Sequence, residues 1–208
     1  MWFEQFLDLI FPPNCEVCRT RHPAALCPDC YSQIKFMRPQ MGVYSAAAYQ
    51  GVVKEAITRL KFHGRKRLAE PLGILFVRYL SQAPDFSMKE IDCLAPVPLH
   101  PRRLRQRGFN QVELLAEVVS KYFEVPIIKT LQRVKNTHPQ FDLPKEQRKE
   151  NIKNAFRVRH DQAVANKRVL LLDDIYTTGA TIGESGRVLL EAGAKNVAVA
   201  TLARAIEN

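Results

Sequence analysis

Several features of other protein classes are missing from this 208-residue sequence. No apolar run approaches the ~20 residues that a membrane-spanning helix needs, so we expect none. The first eleven residues contain Glu4 and Asp8 but neither lysine nor arginine, which argues against a signal peptide. No glycine precedes a lysine, so the P-loop motif G-x-x-x-x-G-K-[ST] is absent. These absences favour a cytoplasmic protein and argue against a P-loop hydrolase.

Acidic residues are also scarce. The 21 aspartates and glutamates face 31 lysines and arginines, a net charge of +10. Such a surplus indicates a polyanion nearby, whether nucleic acid, a phosphorylated ligand or a membrane surface. The length suits one main domain with a small appendage. We expect an N-terminal helix and metal-binding segment in residues 1–40 and the main domain in residues 41–208.

Only five cysteines are present, and four of them are closely spaced. Cys15-x-x-Cys18 and Cys27-x-x-Cys30 form two knuckles that can supply four thiolates to one tetrahedral ion, the arrangement of structural zinc. Ordinary or redox-active cysteines are the alternative, but disulfides are not expected in a reducing cytoplasm. The fifth, Cys93, lies in an apolar stretch and is interpreted as a small buried hydrophobe.

The stretch around residues 169–181 is the most informative one. Four apolar residues precede Asp173 and Asp174 and predict a strand that is buried on both faces and ends at the two acids. Threonines and Gly179 then lead into a predicted helix over 182–192. A glycine and a helix start favour a bound phosphate, and two carboxylates can accept hydrogen bonds from vicinal ribose hydroxyls. A ribose 5-phosphate group would satisfy both halves.

Two other interpretations of this stretch remain open: an ordinary strand–loop–helix unit, or the Walker B strand of a nucleotide hydrolase. The stretch resembles the signature of the type I phosphoribosyltransferases, an apolar strand followed by Asp-Asp, three residues and Thr-Gly-Ala-Thr. The resemblance implies that the two acids bind ribose hydroxyls and take part in catalysis. It also implies that residues 177–181 bind the 5-phosphate and that Mg²⁺ accompanies phosphoribosyl pyrophosphate. The implied phosphoribosyl-binding residues are Asp173, Asp174, Ile175, Tyr176, Thr177, Thr178, Gly179, Ala180 and Thr181.

A cationic stretch, residues 100–111, follows a predicted strand over 91–97. Four arginines bracket a glycine and an aromatic residue and form a candidate polyphosphate or nucleic-acid surface, with a solvated charged loop as the alternative. Its candidate residues are Val97, Pro98, Leu99, Arg102, Arg103, Arg105, Arg107 and Phe109. Phe109 and Tyr176 are the candidate base-stacking side chains. The basic cluster from Lys61 to Arg67 is interpreted only as a cationic helix end.

The combination of Pro-Val-Pro-Leu, Arg-Gly-Phe-Asn-Gln, the double C-x-x-C and the phosphoribosyl signature, in this order, resembles the ComF family. The resemblance covers essentially the whole chain. It implies a role in uptake of single-stranded DNA during natural transformation, pyrophosphate bound near residues 97–103, and a competence helicase (ComFA-like) as partner. Such partners would bring the cytoplasmic protein to the inner face of the membrane.

Two classes of function therefore remain. The protein is either a binding module for phosphoribosyl pyrophosphate or a nucleotide, acting with single-stranded DNA, or an active phosphoribosyltransferase. No residue identifies an acceptor. The predicted fold is α/β, a doubly wound and mainly parallel sheet of the type I phosphoribosyltransferase kind with a small zinc-ribbon-like segment. Residues 100–111 are predicted as a loop, residues 127–134 as a strand, and residues 135–151 as a loop that closes over the ligand.

Overall fold

A computed structural model describes residues 12–39, 42–137 and 150–206. The apolar residues at positions 2–10, whose spacing is the basis for the predicted N-terminal helix, and most of the loop predicted for residues 135–151 lie outside these ranges. The described strands are β1 (Val43–Ala48), β2 (Cys93–Pro96), β3 (Leu131–Arg133), β4 (Phe156–Val158), β5 (Arg168–Tyr176) and β6 (Asn196–Arg204). The described helices are α1 (Pro28–Ser32), α2 (Gly51–Phe62), α3 (Ala69–Gln82), α4 (Pro101–Arg107), α5 (Gln111–Phe123) and α6 (Ala180–Glu191).

The main sheet has four parallel strands in the order β1-β6-β5-β2. Single bridges extend it at both edges, from Phe36 to Ala47 and from Ile127 to Leu94. β3 and β4 form a separate antiparallel pair. β5 lies between β6 and β2, and its apolar run is buried on both faces, as predicted, because elements pack against each face.

Helices cover both faces of the sheet. Leu170 and Leu172 of β5 share one apolar cluster with buried residues of α2, α3 and α5. Leu171 belongs to a second cluster with α6 and the β3–β4 pair. Successive side chains of a strand point to opposite faces, which explains the alternation. The predicted doubly wound parallel fold is confirmed.

Two predictions about elements need correction. Residues 101–107 form α4 rather than a loop: Pro101 stands at its start, the His100 side chain accepts from the Arg102 N–H, and Gly108 at φ +78° ends it. The strand predicted for residues 127–134 is reduced to a bridge at Ile127 and to β3. In the described part of the chain, no helix is long and apolar enough to cross a bilayer.

Candidate functional site

Asp173 and Asp174 lie inside β5 rather than at its end. Beyond them, Ile175 and Tyr176 still pair with β6, so the predicted strand end was wrong by two residues. Both carboxylates are buried, at 8% and 5% exposure. Because neighbours in a strand alternate, Asp174 points to the face of α2 and α5 and Asp173 to the face of α6. The two acidic side chains therefore lie on opposite faces of the sheet.

Asp174 is held by two side chains that the sequence did not single out as functional. Lys61 Nζ, from the last turn of α2, donates to Asp174 Oδ1 at 2.7 Å. Gln111 Nε2, from the first residue of α5, donates to Asp174 Oδ2 at 2.5 Å. Each carboxylate oxygen thus has a donor, as a buried charge requires. The sequence pattern predicts only that Lys61 belongs to the cationic end of a helix.

Asp173 has a different environment. Its Oδ1 accepts the backbone N–H of Asp174 at 2.8 Å. Its Oδ2 accepts no hydrogen bond within the described ranges. Burial and the neighbouring Asp174 charge raise the pKa of Asp173 to about 7, although Lys61 and Arg133 oppose the shift. This carboxyl is therefore partly protonated at neutral pH and has one oxygen available to a ligand.

The β5–α6 loop follows directly. Thr177 is exposed and Gly179, at φ +77°, immediately precedes α6. A Cβ on Gly179 would lie 2.6 Å from the Tyr176 hydroxyl, so both the backbone angle and the space require glycine. The Arg204 guanidinium lies 4.3 Å from the Tyr176 ring centroid and covers part of the proposed stacking residue. These contacts fix the path of the loop beside the acids.

The arginines of α4 divide between two sides of the helix. Arg102 and Arg105 are exposed, whereas Arg103 and Arg107, one turn apart, are half-buried. Arg107 Nη1 donates to Gln111 Oε1, so this side of α4 is linked through Gln111 to Asp174. Within the predicted cationic cluster, Arg107 is therefore the arginine joined to Asp174, through Gln111.

The segment before α4 lies next to β5. The Val97 N–H donates to the Leu172 carbonyl at 2.9 Å, and Asn110 Nδ2 donates to the Val97 carbonyl at 3.1 Å. Pro98 and Leu99 are half-buried. Phe109, a predicted stacking residue, is 8% exposed, and Lys66 Nζ lies 4.9 Å from its ring centroid. That ring belongs to the apolar core, and base stacking on Phe109 stays a prediction.

The four N-terminal cysteines converge on one point. The Cys15 and Cys30 sulfurs are 3.8 Å apart, those of Cys18 and Cys27 are 3.6 Å apart, and all four sulfurs lie within 4.8 Å of one another. Four sulfurs at about 2.3 Å from a central Zn²⁺ stand about 3.8 Å apart in a tetrahedron. The sulfur set therefore fits structural zinc, as the spacing predicts.

The zinc segment is attached to the main domain through Glu16. This buried carboxylate lies within 3.7 Å of the Arg65 and Arg67 guanidinium groups. The Glu16 carbonyl accepts a hydrogen bond from Arg59 of α2. Cys15 and Leu26 also share the apolar cluster of α2 and α3. One rigid helix therefore contacts the zinc segment and, through Lys61, the acidic pair.

Comparisons with known proteins agree with this architecture. The double zinc ribbon family matches residues 6–42 and the phosphoribosyl transferase domain family matches residues 113–208. The chain is 31% identical to the DNA utilization protein YhgH of Escherichia coli K12, over 92% of this chain and 90% of that protein. It is 32% identical to the competence protein ComFC of Bacillus subtilis, over 92% of this chain and 71% of that protein.

Among solved structures, the chain is similar to the glutamine phosphoribosylpyrophosphate amidotransferase of B. subtilis complexed with ADP and GMP. The TM-score is 0.45 and the identity 20%, over 65% of this chain and 26% of that chain. The two sequence relatives each match 92% of this chain. The chain therefore belongs to the ComF family of ComFC-like and YhgH-like proteins, with a double zinc ribbon and a phosphoribosyltransferase domain.

Proposed function

We propose that this protein binds phosphoribosyl pyrophosphate, or a nucleotide through its 5-phosphate, at the carboxyl edge of β5. The observation that carries the proposal is a glycine-bounded helix start, at Gly179, three residues beyond a strand that holds two buried carboxylates. Few ligands other than a ribose phosphate need both a helix start that binds a phosphate and, beside it, buried carboxylates that accept hydrogen bonds from hydroxyl groups.

The phosphate half of the ligand is assigned to residues 177–181. The first N–H groups of a helix have no partner within the helix and carry partial positive charge. α6 spans twelve residues, so its dipole is well developed. The threonine hydroxyls of the loop add donors, and Gly179 keeps its backbone accessible on the ligand side. A 5-phosphate is the dianion that such a loop suits best.

The ribose half is assigned first to Asp173. Asp174 already accepts from Lys61 and Gln111, whereas Asp173 Oδ2 accepts from no described residue. A ribose hydroxyl that donates to Asp173 Oδ2 would favour the ionised carboxylate and lower its raised pKa. Asp174 then acts mainly by holding α2 and α5 against the site, and reaches the ligand only if one of its two donors moves.

A diphosphate group would extend from the ribose toward the segment after β2, where Val97, Pro98 and Leu99 lead into α4. The exposed Arg102 and Arg105 and the half-buried Arg103 and Arg107 supply its positive charge. Mg²⁺ prefers oxygen ligands and, when bound with the diphosphate, would supply charge neutralisation; Asp173 is the site carboxylate with an oxygen available to it. As an enzyme, the protein would transfer the ribose phosphate from phosphoribosyl pyrophosphate to an acceptor and release pyrophosphate.

A second function, binding of single-stranded DNA, has its own supporting observation. Residues 62–67 are all exposed and combine Phe62 with His63, Arg65, Lys66 and Arg67. The Arg107 guanidinium lies 5.3 Å from the Phe62 ring centroid. Cations beside an exposed aromatic are what sequence-independent binding of single strands uses. The names of the relatives, which refer to DNA utilization and competence, point in the same direction.

Calorimetry tests the first function. The wild-type protein is titrated with phosphoribosyl pyrophosphate with and without Mg²⁺, and with ribose 5-phosphate. Asp173→Asn should weaken phosphoribosyl pyrophosphate at least tenfold, because the ribose loses its charged acceptor. Asp92→Asn is the matched control: this exposed acid pairs with Arg168 at the opposite end of β5. Equal binding by wild type and Asp173→Asn would overturn the assignment.

Fluorescence anisotropy with a labelled oligonucleotide tests the second function. Affinity should fall steeply as salt rises, because cations that bind phosphates release counterions. Phe62→Ala should weaken binding without changing the salt slope, whereas Arg102→Gln with Arg105→Gln should flatten the slope by about 0.7 for each phosphate that is no longer neutralised. No saturable binding at low salt would refute this function.

A pyrophosphate-release assay over a panel of acceptors decides whether the protein catalyses phosphoribosyl transfer.

A further inference from the structure

Two side chains, Arg107 and Gln111, join an exposed aromatic ring to the buried Asp174. Phe62, the last residue of α2, is 60% exposed, and the Arg107 guanidinium lies 5.3 Å from its ring centroid. Arg107 also donates to Gln111 Oε1, and Gln111 Nε2 donates to Asp174 Oδ2 at 2.5 Å. Three successive contacts therefore connect the surface that we propose for single-stranded DNA with a carboxylate of the ribose site.

Arg107 is the side chain of this series that a ligand at the surface can move. Among the residues that the structure describes, it has no carboxylate partner, and its hydrogen-bond acceptor is the neutral amide oxygen of Gln111. A phosphate is a stronger acceptor for a guanidinium, because both groups are charged and the contact can be bidentate. A base that stacks on Phe62 also needs a face of the ring beside which the guanidinium lies. A nucleotide bound at Phe62 would therefore draw Arg107 away from Gln111.

The hold of Gln111 on Asp174 depends on Arg107. Gln111 is 4% exposed, and the two contacts use both ends of its amide. While Arg107 is in place, a ribose hydroxyl can replace Gln111 at Asp174 Oδ2 only if two hydrogen bonds break, each with a charged partner. Once Arg107 has moved, only one has to break, and the hydroxyl replaces it. Lys61 Nζ contacts the other oxygen, Oδ1, so the carboxylate keeps its counter-charge during this exchange.

We infer that single-stranded DNA bound at Phe62 raises the affinity of the β5 site for its ribose ligand. Arg107 and Gln111 are the positioning residues that transmit this effect to Asp174. The inference rests on both parts of the proposed function, because it couples the two ligands proposed there. Linkage makes such a coupling reciprocal, so the ribose ligand must raise the affinity for the strand by the same factor.

Calorimetry with ribose 5-phosphate tests the inference, because this ligand has no diphosphate that could compete with the strand for arginines. Its affinity for the whole protein is measured at constant ionic strength, alone and with a saturating oligothymidylate. Fluorescence anisotropy measures the affinity for the labelled oligothymidylate with and without ribose 5-phosphate. We expect the strand to strengthen binding of ribose 5-phosphate at least about fivefold, and the same factor to appear in the anisotropy measurement.

Gln111→Met separates transmission through Gln111 from a merely structural role. Methionine keeps the length of the side chain but neither accepts from Arg107 nor donates to Asp174. We expect ribose 5-phosphate to bind this variant without the strand about as tightly as it binds the wild type with the strand. The strand should then add less than about twofold. If Gln111 served only packing, the variant would lose melting temperature and affinity together.

Two further variants complete the test. Arg107→Met removes the donor to Gln111 and should also tighten binding of ribose 5-phosphate in the absence of the strand, so it decides if Gln111→Met does not fold. The matched control is Arg78→Gln, which removes the charge of an exposed arginine on α3. This control should keep both wild-type affinities and the wild-type coupling factor.

The outcomes distinguish the inference from the proposed function. If the wild type binds both ligands and neither affinity depends on the other ligand, the inference is wrong and the proposed function stands. The same holds if the strand weakens binding of ribose 5-phosphate, if Gln111→Met keeps the wild-type coupling, or if Arg78→Gln loses it. If the wild type fails to bind ribose 5-phosphate or the strand at all, that part of the proposed function is refuted and the inference falls with it.

Discussion

Replacing Lys61 with methionine should destabilise the protein far more than the loss of an ordinary surface lysine. The Lys61 and Asp174 side chains are 15% and 6% exposed, and their charged atoms are 2.7 Å apart. At an effective dielectric constant of about 20, the attraction at that distance is about 6 kcal/mol before desolvation is subtracted. Methionine keeps the length of the side chain but leaves the buried carboxylate with Gln111 alone. Breaking such a pair costs about 3–5 kcal/mol.

Urea unfolding measures this cost. With an m-value of about 2 kcal/mol/M, the expected loss lowers the midpoint by about 2 M. The matched control is Lys129→Met, which breaks an exposed pair with Glu113 at 2.6 Å. Surface pairs contribute about 1 kcal/mol or less, so this control should shift the midpoint by about 0.5 M at most.

A double-mutant cycle distinguishes the ion pair from simple packing. Asp174→Asn removes the buried charge, so adding Lys61→Met to that variant should cost less than it does in the wild type. We expect a coupling energy of about 2 kcal/mol or more, in the upper range for contacting residues. Additive effects, or a Lys61→Met cost below that of Lys129→Met, would refute the reasoning that Asp174 depends on this amine.

Three further predictions concern other parts of the molecule. Protein purified without added zinc should contain about one equivalent by metal analysis, and Cys27→Ser should lower that content together with the melting temperature; near-zero metal with four reactive thiols would contradict the zinc site. Gly179→Ala should cost about 1–3 kcal/mol in unfolding free energy, because φ is +77° and the new Cβ would meet the Tyr176 hydroxyl, so Tyr176→Phe in the same chain should restore part of the loss. The folded-state pKa of Asp173 lies above its unfolded value, so its contribution to stability is complete below about pH 4 and is lost as the pH rises through about 7. As the pH rises from about 4 to about 7, the unfolding free energy of Asp173→Asn should therefore increase relative to that of wild type. A difference between the two proteins that stays constant over this range would contradict the raised pKa.

Local patterns in the sequence were sufficient for much of the fold. The apolar run before Asp173, the helical pattern over 182–192 and the cysteine spacing each act over a few residues, and each predicted the type of its element correctly. α4 was missed although its signals were present, with a proline at its first position and a glycine just after its end. The dense charge of this segment outweighed those signals and favoured a loop.

The contacts of the site could not be predicted in the same way. Lys61 and Asp174 are 113 residues apart in the chain, and only the packing of α2 against β5 brings them together. Arg133 likewise depends on where the β3–β4 pair packs. The opposite orientation of the two acids follows from strand alternation, but only once β5 is known to continue to Tyr176. The sequence predicted which types of side chain lie at the candidate site, and tertiary packing decided which of them face one another.

The attachment of Glu16 has a consequence for where the chain can be divided. A protein shortened to residues 41–208 would lose the carboxylate that faces Arg65 and Arg67, and the carbonyl that accepts from Arg59. It would also expose the apolar surface now covered by Leu26 and Ile34. Like charges would then crowd the end of the helix that presents Lys61. The zinc segment thus supplies a counter-charge to the main domain, and we expect a chain cut near residue 40 to be less stable than the whole protein.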